Sequence, residues 1–467
     1  MDYPPGKAPL AILIMAVVSG ALLLLFPPKI EHGNLQIWTF ADAHYRAYQS
    51  VLPDFQAKHP ETHIDLQLVH ERAVTSRLRS AFASDLPVPD MVEVEIKWAG
   101  SFFIGPLEDI GFVDLTDELK KPRPDGPPWI DRIVKSRFAP YTARRVTDGV
   151  ASDHIFGLPH DVHPVLLAYR KDIFDAHGID AEKLTTWDDF LREGRGLLKK
   201  MNANSKAGEM RHYLLNLNSS TSDELELLLF QNDGQIFSPD GAVRMDDETA
   251  VQMMLWYVPL VAGPDPIGYS LGTAMDFELV NNAQKDELLL CTLMPDWLSG
   301  YYQKYVDNAS GKMALMPLPA FKPGGRRTST RGGTMIGFTK KSRQFDVAWQ
   351  LGLKLYFDPD LRVKQFREFN ILPPLREAWK RPELNEANAY WSGQPLGKMY
   401  ADQADNAPPQ YSSPYVGLAR AKLGEALSDC VRYYNSSGAA GFEDFVRKRL
   451  KQSADEVRLQ ERLNPYR

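Results

Sequence analysis

Cysteine is nearly absent: Cys291 and Cys430 are the whole supply in 467 residues. Two thiols support neither a disulfide framework nor a cysteine-rich metal site. Whether the two pair depends on whether their Cα atoms come within disulfide reach, and the burial tendency of cysteine favours two free thiols. Basic charge is also short. With 54 Lys and Arg against 60 Asp and Glu the net charge is −6, so there is no basic excess to coat a phosphate backbone. Nucleic acid is thereby excluded as the main partner. The chain contains no P-loop, no G-x-S-x-G, no H-E-x-x-H and no glycine-rich dinucleotide turn. It has no internal repeat, low-complexity tract or long charge block. Pairing two carboxylates as a glycosidase acid and base requires a separation that only geometry supplies. Nothing in the residues asks for a cofactor or for catalysis.

What is present is a large globular chain. A hydrophobic fraction of 44% and an aromatic fraction of 11% supply a substantial core, and the length calls for two lobes. Ala8–Phe26 stands apart: it is uncharged and long enough to span a bilayer, with Lys7 before it. The segment reads as an uncleaved anchor, because Ser19-Gly20-Ala21 is followed by Leu22–Phe26 and not by a polar mature end. A cleaved signal peptide is the competing reading. After it, Leu35–Phe40 reads as a strand, Asp42 as the N-cap of a helix carrying Tyr45, Tyr48, Leu52 and Phe55, and Ile64–Val69 as a second strand. Val74, Leu78 and Phe82 mark another helical stripe, and Met91–Ile96 a third strand. This β-α-β-α-β rhythm predicts a parallel sheet covered by helices, with ligands bound beyond the carboxyl ends of its strands. Lys121–Trp129 reads as a surface loop, Thr186 as the cap of a helix to Met201, Lys322–Gly333 as a flexible connection, and Ser413–Leu459 as helical.

Ile155–Asp172 concentrates the polar signal. Gly157 and Pro159 break regular structure, His160, Asp161 and His163 follow, and Val165–Tyr169 is an apolar run that reads as a buried strand. The two histidines and Asp161 are close enough to ligate a metal, but they lack helical i, i+4 spacing and a second cluster, so no metal site is assigned. Aromatics beside turns are more suggestive, chiefly Trp297 in a Pro-Asp-Trp-Leu-Ser-Gly loop and Tyr415 after Ser413-Pro414. Flat aromatics suit the C–H faces of a sugar ring, and Asp, Glu, Asn or Arg suit its hydroxyl rim. For any single aromatic, core packing is the bland alternative.

Gly157-Leu158-Pro159, Tyr169-Arg170-Lys171-Asp172-Ile173-Phe174, Thr186-Trp187-Asp188-Asp189-Phe190, Met316-Pro317-Leu318-Pro319 and Gly332-Gly333-Thr334 occur in that order. With Pro89-Asp90-Met91-Val92 upstream, the series resembles the family 1 extracellular solute-binding proteins, the maltose-binding-protein-like sugar receptors of ABC transporters. The resemblance covers nearly all of Leu35–Arg467. It implies an α/β, two-lobed periplasmic binding protein fold of type II character, with hinged lobes and mixed, mostly parallel sheets, preceded by an N-terminal hydrophobic helix. The implied domains are residues 1–34 as anchor or signal and 35–467 as the solute-binding unit. Within it, lobe I is expected over about 35–161 and 326–375, and lobe II over about 164–322 and 376–467. The implied ligand positions are Phe40, His44, Tyr45, Glu95, Trp98, Asp161, His163, Asn232, Asp233, Trp297, Arg331, Gly333 and Tyr415, with no catalytic or metal residue and no cofactor. The implied partners are a carbohydrate, an ABC permease and the membrane, for a monomer outside the cytoplasm. A ligand-sensing receptor of the same fold is the alternative, and a carbohydrate-active enzyme on this scaffold is the remote third. The chain departs from the pattern in having no lipidation Cys, in Tyr-Arg for the usual Tyr-Asn, and in lacking a glycine-and-alanine-rich approach over Phe277–Thr292.

Overall fold

A computed structural model describes residues 12–18, 34–84, 86–147, 150–203, 211–272 and 276–464. Most of the Ala8–Phe26 run lies outside these, its described part, 12–18, being helical. Among the described residues no helix is long and apolar enough to cross a membrane.

In chain order the strands are β1 (Leu35–Thr39), β2 (Ile64–Leu68), β3 (Met91–Glu95), β4 (Thr142–Thr147), β5 (Val150–Ile155) and β6 (Leu158–Pro159). They continue with β7 (Val165–Arg170), β8 (Tyr213–Asn216), β9 (Gly268–Tyr269), β10 (Leu289–Pro295), β11 (Met313–Pro317) and β12 (Thr334–Phe338). The first sheet has the order β2-β1-β3-β12-β6 and the second β11-β7-β10-β8-β9, while β4 and β5 form a separate hairpin. The expected parallel β1, β2 and β3 are there, but β12 runs antiparallel to β3 and β7 antiparallel to both its neighbours. The first sheet is mixed because β12 returns to it from the other lobe in the opposite sense; in the second, the odd strand is β7, on which the chain first arrives.

Val165–Arg170 is buried at every position. Its alternate residues explain why: Val165, Leu167 and Tyr169 pack in one apolar cluster and Leu166 and Ala168 in another, so both faces of the sheet are covered. Local chemistry sets the helix starts. The Thr186 hydroxyl accepts from Asp189 N at 3.2 Å and opens Trp187–Met201. Asp42, expected as a cap, sits instead in the first turn of the helix Asp42–Gln49 and pairs with Arg46 at 2.9 Å, leaving Ala41 at the cap. Acid in the first turn still complements the helix dipole. The C-terminal helical region divides into Val416–Ser437 and Phe442–Leu463, with Gly438 and Gly441 at positive φ between them. Cys291 and Cys430 are both free and buried.

The chain passes between the sheets near residues 161–164, 329–333 and 371–375. Pro164 bridges Thr330 antiparallel, Val165 N donates to Ser329 O at 3.1 Å, and Val162 N donates to Leu372 O at 3.2 Å. The third crossing begins where Asn370, in the left-handed conformation (φ 57), ends the helix Pro359–Phe369. That helix faces both lobes, with Leu361 in the core beside the first sheet and Val363 and Phe366 in one beside the second.

Candidate functional site

The three crossings meet around a buried cluster of charge. His163, in the left-handed region at φ 48, sits between two aspartates: Nδ1 is 2.6 Å from Asp296 Oδ1 and Nε2 is 3.1 Å from Asp161 Oδ2. Burial alone would lower the imidazole, but the charges of Asp161 and Asp296 raise it to about 9. Burial would likewise raise Asp161, whereas the facing His163 charge and hydrogen bonds from His160 and His163 hold it well below the carboxylate range. Asp296 Oδ2 accepts from Leu372 N at 2.6 Å, and Oδ1 from Trp297 N at 2.7 Å. Arg137, fully buried, donates to Asp161 O, Thr330 Oγ1 and Gly332 O, each at 3.1 Å. Every crossing is thus tied to one charged node.

A second buried chain runs back from it into the first lobe. The Glu93 carboxylate accepts from the hydroxyls of Thr39, Tyr48 and Tyr356 and faces His44 Nδ1 at 3.0 Å. Burial would raise Glu93, but His44 above all brings it down to about 2. The His44 ring lies on His160, with centroids 3.7 Å apart. Arg362 can only donate, so His160 Nε2, 2.8 Å from its Nη1, must accept, and His160 is neutral. The metal reading of the sequence joined His160, Asp161 and His163; the structure groups His160 instead with His44 and Glu93. Those Glu93 oxygens already have their donors, and a divalent ion beside His160 would face the Arg362 charge.

The open chemistry lies on the walls between the lobes. On the first, Glu95 caps the helix Ile96–Ala99 through Lys97 N at 3.0 Å, and Glu71 accepts from Trp98 Nε1 at 2.6 Å while pairing with Lys97 Nζ at 2.9 Å. Opposite them, Arg420 pairs with Asp223 at 2.9 Å and Glu226 at 3.0 Å, and Arg331 with Glu224 at 2.9 Å. A cavity of about 540 Å³ lies between Lys97 and Trp98 on one side and Ser220, Thr221, Asp223 and Arg420 on the other. Burial raises Glu95 to about 7 against the pull of Lys97 and of Arg420 across the gap. Carboxylates, guanidinia and hydroxyls with spare valences, beside a half-buried indole, offer hydrogen bonds in both senses around one flat apolar face.

The thirteen positions expected from sequence are dispersed over these regions. Trp98 lines the cavity, with Glu95 three residues before it, and Arg331 pairs with Glu224 in a separate small space beside Thr292 and Tyr302. Trp297 is half-buried where the crossings meet its lobe, donating to Arg331 O at 3.0 Å with Tyr301 edge-on. His44, Asp161 and His163 belong to the buried networks, Asp161 at 1% exposure. Gly333 fills a tight place: its carbonyl accepts from Ile96 N at 2.8 Å, and a Cβ would come within 2.5 Å of Arg137 Nη2. Phe40 packs against the first lobe's core. Tyr45 lines a groove with Gln49 and His63, and Tyr415 a cavity of about 1270 Å³ shared by both lobes, with Phe103 and Tyr411. Asn232 ends the helix Asp223–Gln231, and the exposed Asp233 beside it holds Arg326 at 2.6 Å. Sequence reasoning missed Glu71, Lys97, Asp223, Glu224, Glu226 and Arg420 on the walls, and Glu93, Arg137, Asp296 and Arg362 inside. Lys97 and Asp296 each adjoin a tryptophan that was singled out; the others carry no local signal.

The profile of the bacterial extracellular solute-binding protein family matches residues 41–351. The chain belongs to this family. It is a family of solute-binding proteins, not of enzymes. This solute-binding protein is 25% identical over 386 residues to an arabinooligosaccharide-binding protein of Bacillus subtilis, covering 82% of each chain. Its fold is that of the sugar-binding protein MalE of Xanthomonas citri, with a TM-score of 0.72 at 18% identity over 92% of this chain and 98% of that one. It is also that of an ABC-transporter-associated binding protein from B. animalis subsp. lactis in complex with β-1,6-galactobiose, with a TM-score of 0.63 at 16% identity over 91% and 98%.

Proposed function

We propose that this solute-binding protein captures an oligosaccharide between its lobes and presents it to an ABC permease outside the cytoplasm. The observation that carries the reading is the wall at Trp98. An indole anchored by Glu71 and flanked by Lys97 and Glu95 faces Arg420 and Asp223 across a cavity of about 540 Å³. A pyranose or furanose ring places C–H groups on such a face and hydroxyls toward such a rim. The arabinooligosaccharide and galactobiose ligands named for the relatives support the substrate class. Contacts to both walls at once favour the closed form, because a ligand shifts the equilibrium only by its differential affinity for the two states. The lobes are taken as 35–161 with 326–375 and 164–322 with 376–467. The uncharged run Ala8–Phe26 supports tethering of a monomer to the cytoplasmic membrane, which fractionation with and without residues 1–34 tests.

Calorimetry and melting shifts against arabino-, galacto- and malto-oligosaccharides test the capture. Saturable binding with a raised melting temperature for one series is expected; no binding across the panel overturns it.

A further inference from the structure

Gly100 opens the short 3-10 turn that directly follows the helix bearing Trp98. Its backbone, at φ −57 and ψ −30, is ordinary right-handed helix that any residue adopts. Conformation therefore gives no reason for glycine here. Space does. A Cβ at Gly100 would lie 2.2 Å from Ser412 Oγ and 2.5 Å from Ser413 O, both on the other lobe. The serine hydroxyl could rotate away, but the carbonyl could not. Ser413 O accepts from Val416 N at 3.1 Å, and Val416 begins the helix that carries Arg420. Displacing that carbonyl means displacing the start of a 22-residue helix. Gly417, on the same helix, differs: its Cβ would meet Trp98 Cζ3 at 3.7 Å, an ordinary contact.

We propose that Gly100 sets the depth of lobe closure. The missing side chain lets the Trp98 turn seat against the Ser412–Ser413 backbone, and that seating brings Lys97 and Trp98 to the same cavity as Arg420. Gly100 is a positioning residue: it touches the other lobe and not the ligand. The proposal rests on the capture reading, since closure matters only if something is enclosed.

The test compares Gly100→Ala and Gly100→Val with wild type. Gly196→Ala, on the helix Trp187–Met201 with nothing within 4 Å of the added methyl, controls for glycine removal as such. Affinity for the best sugar of the panel is expected to fall roughly tenfold to a hundredfold in Gly100→Ala, the range of an overpacked contact, and further in Gly100→Val. The loss should appear as faster dissociation, with a larger radius of gyration in the sugar-bound state. Sugar-bound scattering identical to wild type overturns the proposal, whether or not affinity falls, because a local packing defect would weaken binding without propping the lobes. Failure of the wild type to bind any sugar counts against the capture reading alone. Scattering of the ligand-free chains then decides Gly100: Gly100→Val is expected to be the more extended, and equal dimensions overturn the assignment.

Discussion

The hinge and the cleft walls hold the same kinds of side chain and use them in opposite ways. At the hinge, Asp296 spends both carboxylate oxygens on His163, Trp297 N and Leu372 N, and Arg137 spends its donors on all the backbone it can reach. These groups are buried and their partners belong to the protein, so their charge fixes the path of the crossings. On the walls, Lys97, Asp223 and Arg420 are paired on one side and open to the cavity on the other. The number of acids and bases does not separate a structural cluster from a binding surface. What separates them is whether the valences are already filled, and by which lobe.

Breaking the hinge should have the largest effect. Asp296→Ala takes from buried His163 one of its two carboxylates, leaves Trp297 N and Leu372 N without their acceptor, and should cost about 3–5 kcal/mol of stability, read by denaturant unfolding. Only a small loss would mean that the node relaxes to solvent and that the contrast with the walls is false. On the wall, Trp98→Ala should weaken sugar binding by roughly 1–3 kcal/mol, while melting of the free protein moves far less than in Asp296→Ala. Calorimetry with paired melting curves separates the two, and an equal loss of stability would place Trp98 with the core.

Titration sharpens the contrast further. His163 is raised from 6.5 to about 9, so its stabilising contribution is full below pH 6.5 and is lost as pH climbs through 9. Glu93 is lowered from 4.5 to about 2, so its contribution is present above pH 4.5 and is lost as pH falls toward 2. Melting temperature against pH should therefore drop at both ends, with the alkaline drop removed in His163→Gln. The smallest expected effect belongs to the wall. Glu95, held near 7 while the lobes are together, should fall toward the ordinary carboxylate range when they part. Closure then takes up a proton, and sugar affinity should decline modestly as pH rises through 7, flattening in Glu95→Gln.

Much of the architecture was legible because local patterns repeat it. The apolar runs at Leu35, Ile64, Met91 and Val165 are strands within a residue of their expected ends, and Thr186 caps its helix. Asp42 misled because acid is favoured both at the cap and in the turn after it. The site was legible only in part. Glu95 and Trp98 lie at and just after a strand end, where topology places ligands, and Trp98 lines the cavity. Asp161 and His163 were expected at the ligand, and the sequence offered no way to see that Asp296, 133 residues on from His163, takes up the Nδ1 of that histidine.

Sequence alone determined the family likeness, the first strands and helices, and that two cysteines cannot build a disulfide framework, since composition, periodicity and short motifs are properties of neighbours along the chain. Tertiary structure decided which charges are spent and which remain available, and where the lobes touch. Those depend on Arg137, Asp296, Gly100 and Arg420, residues brought together from hundreds of positions apart, whose partners no local pattern encodes.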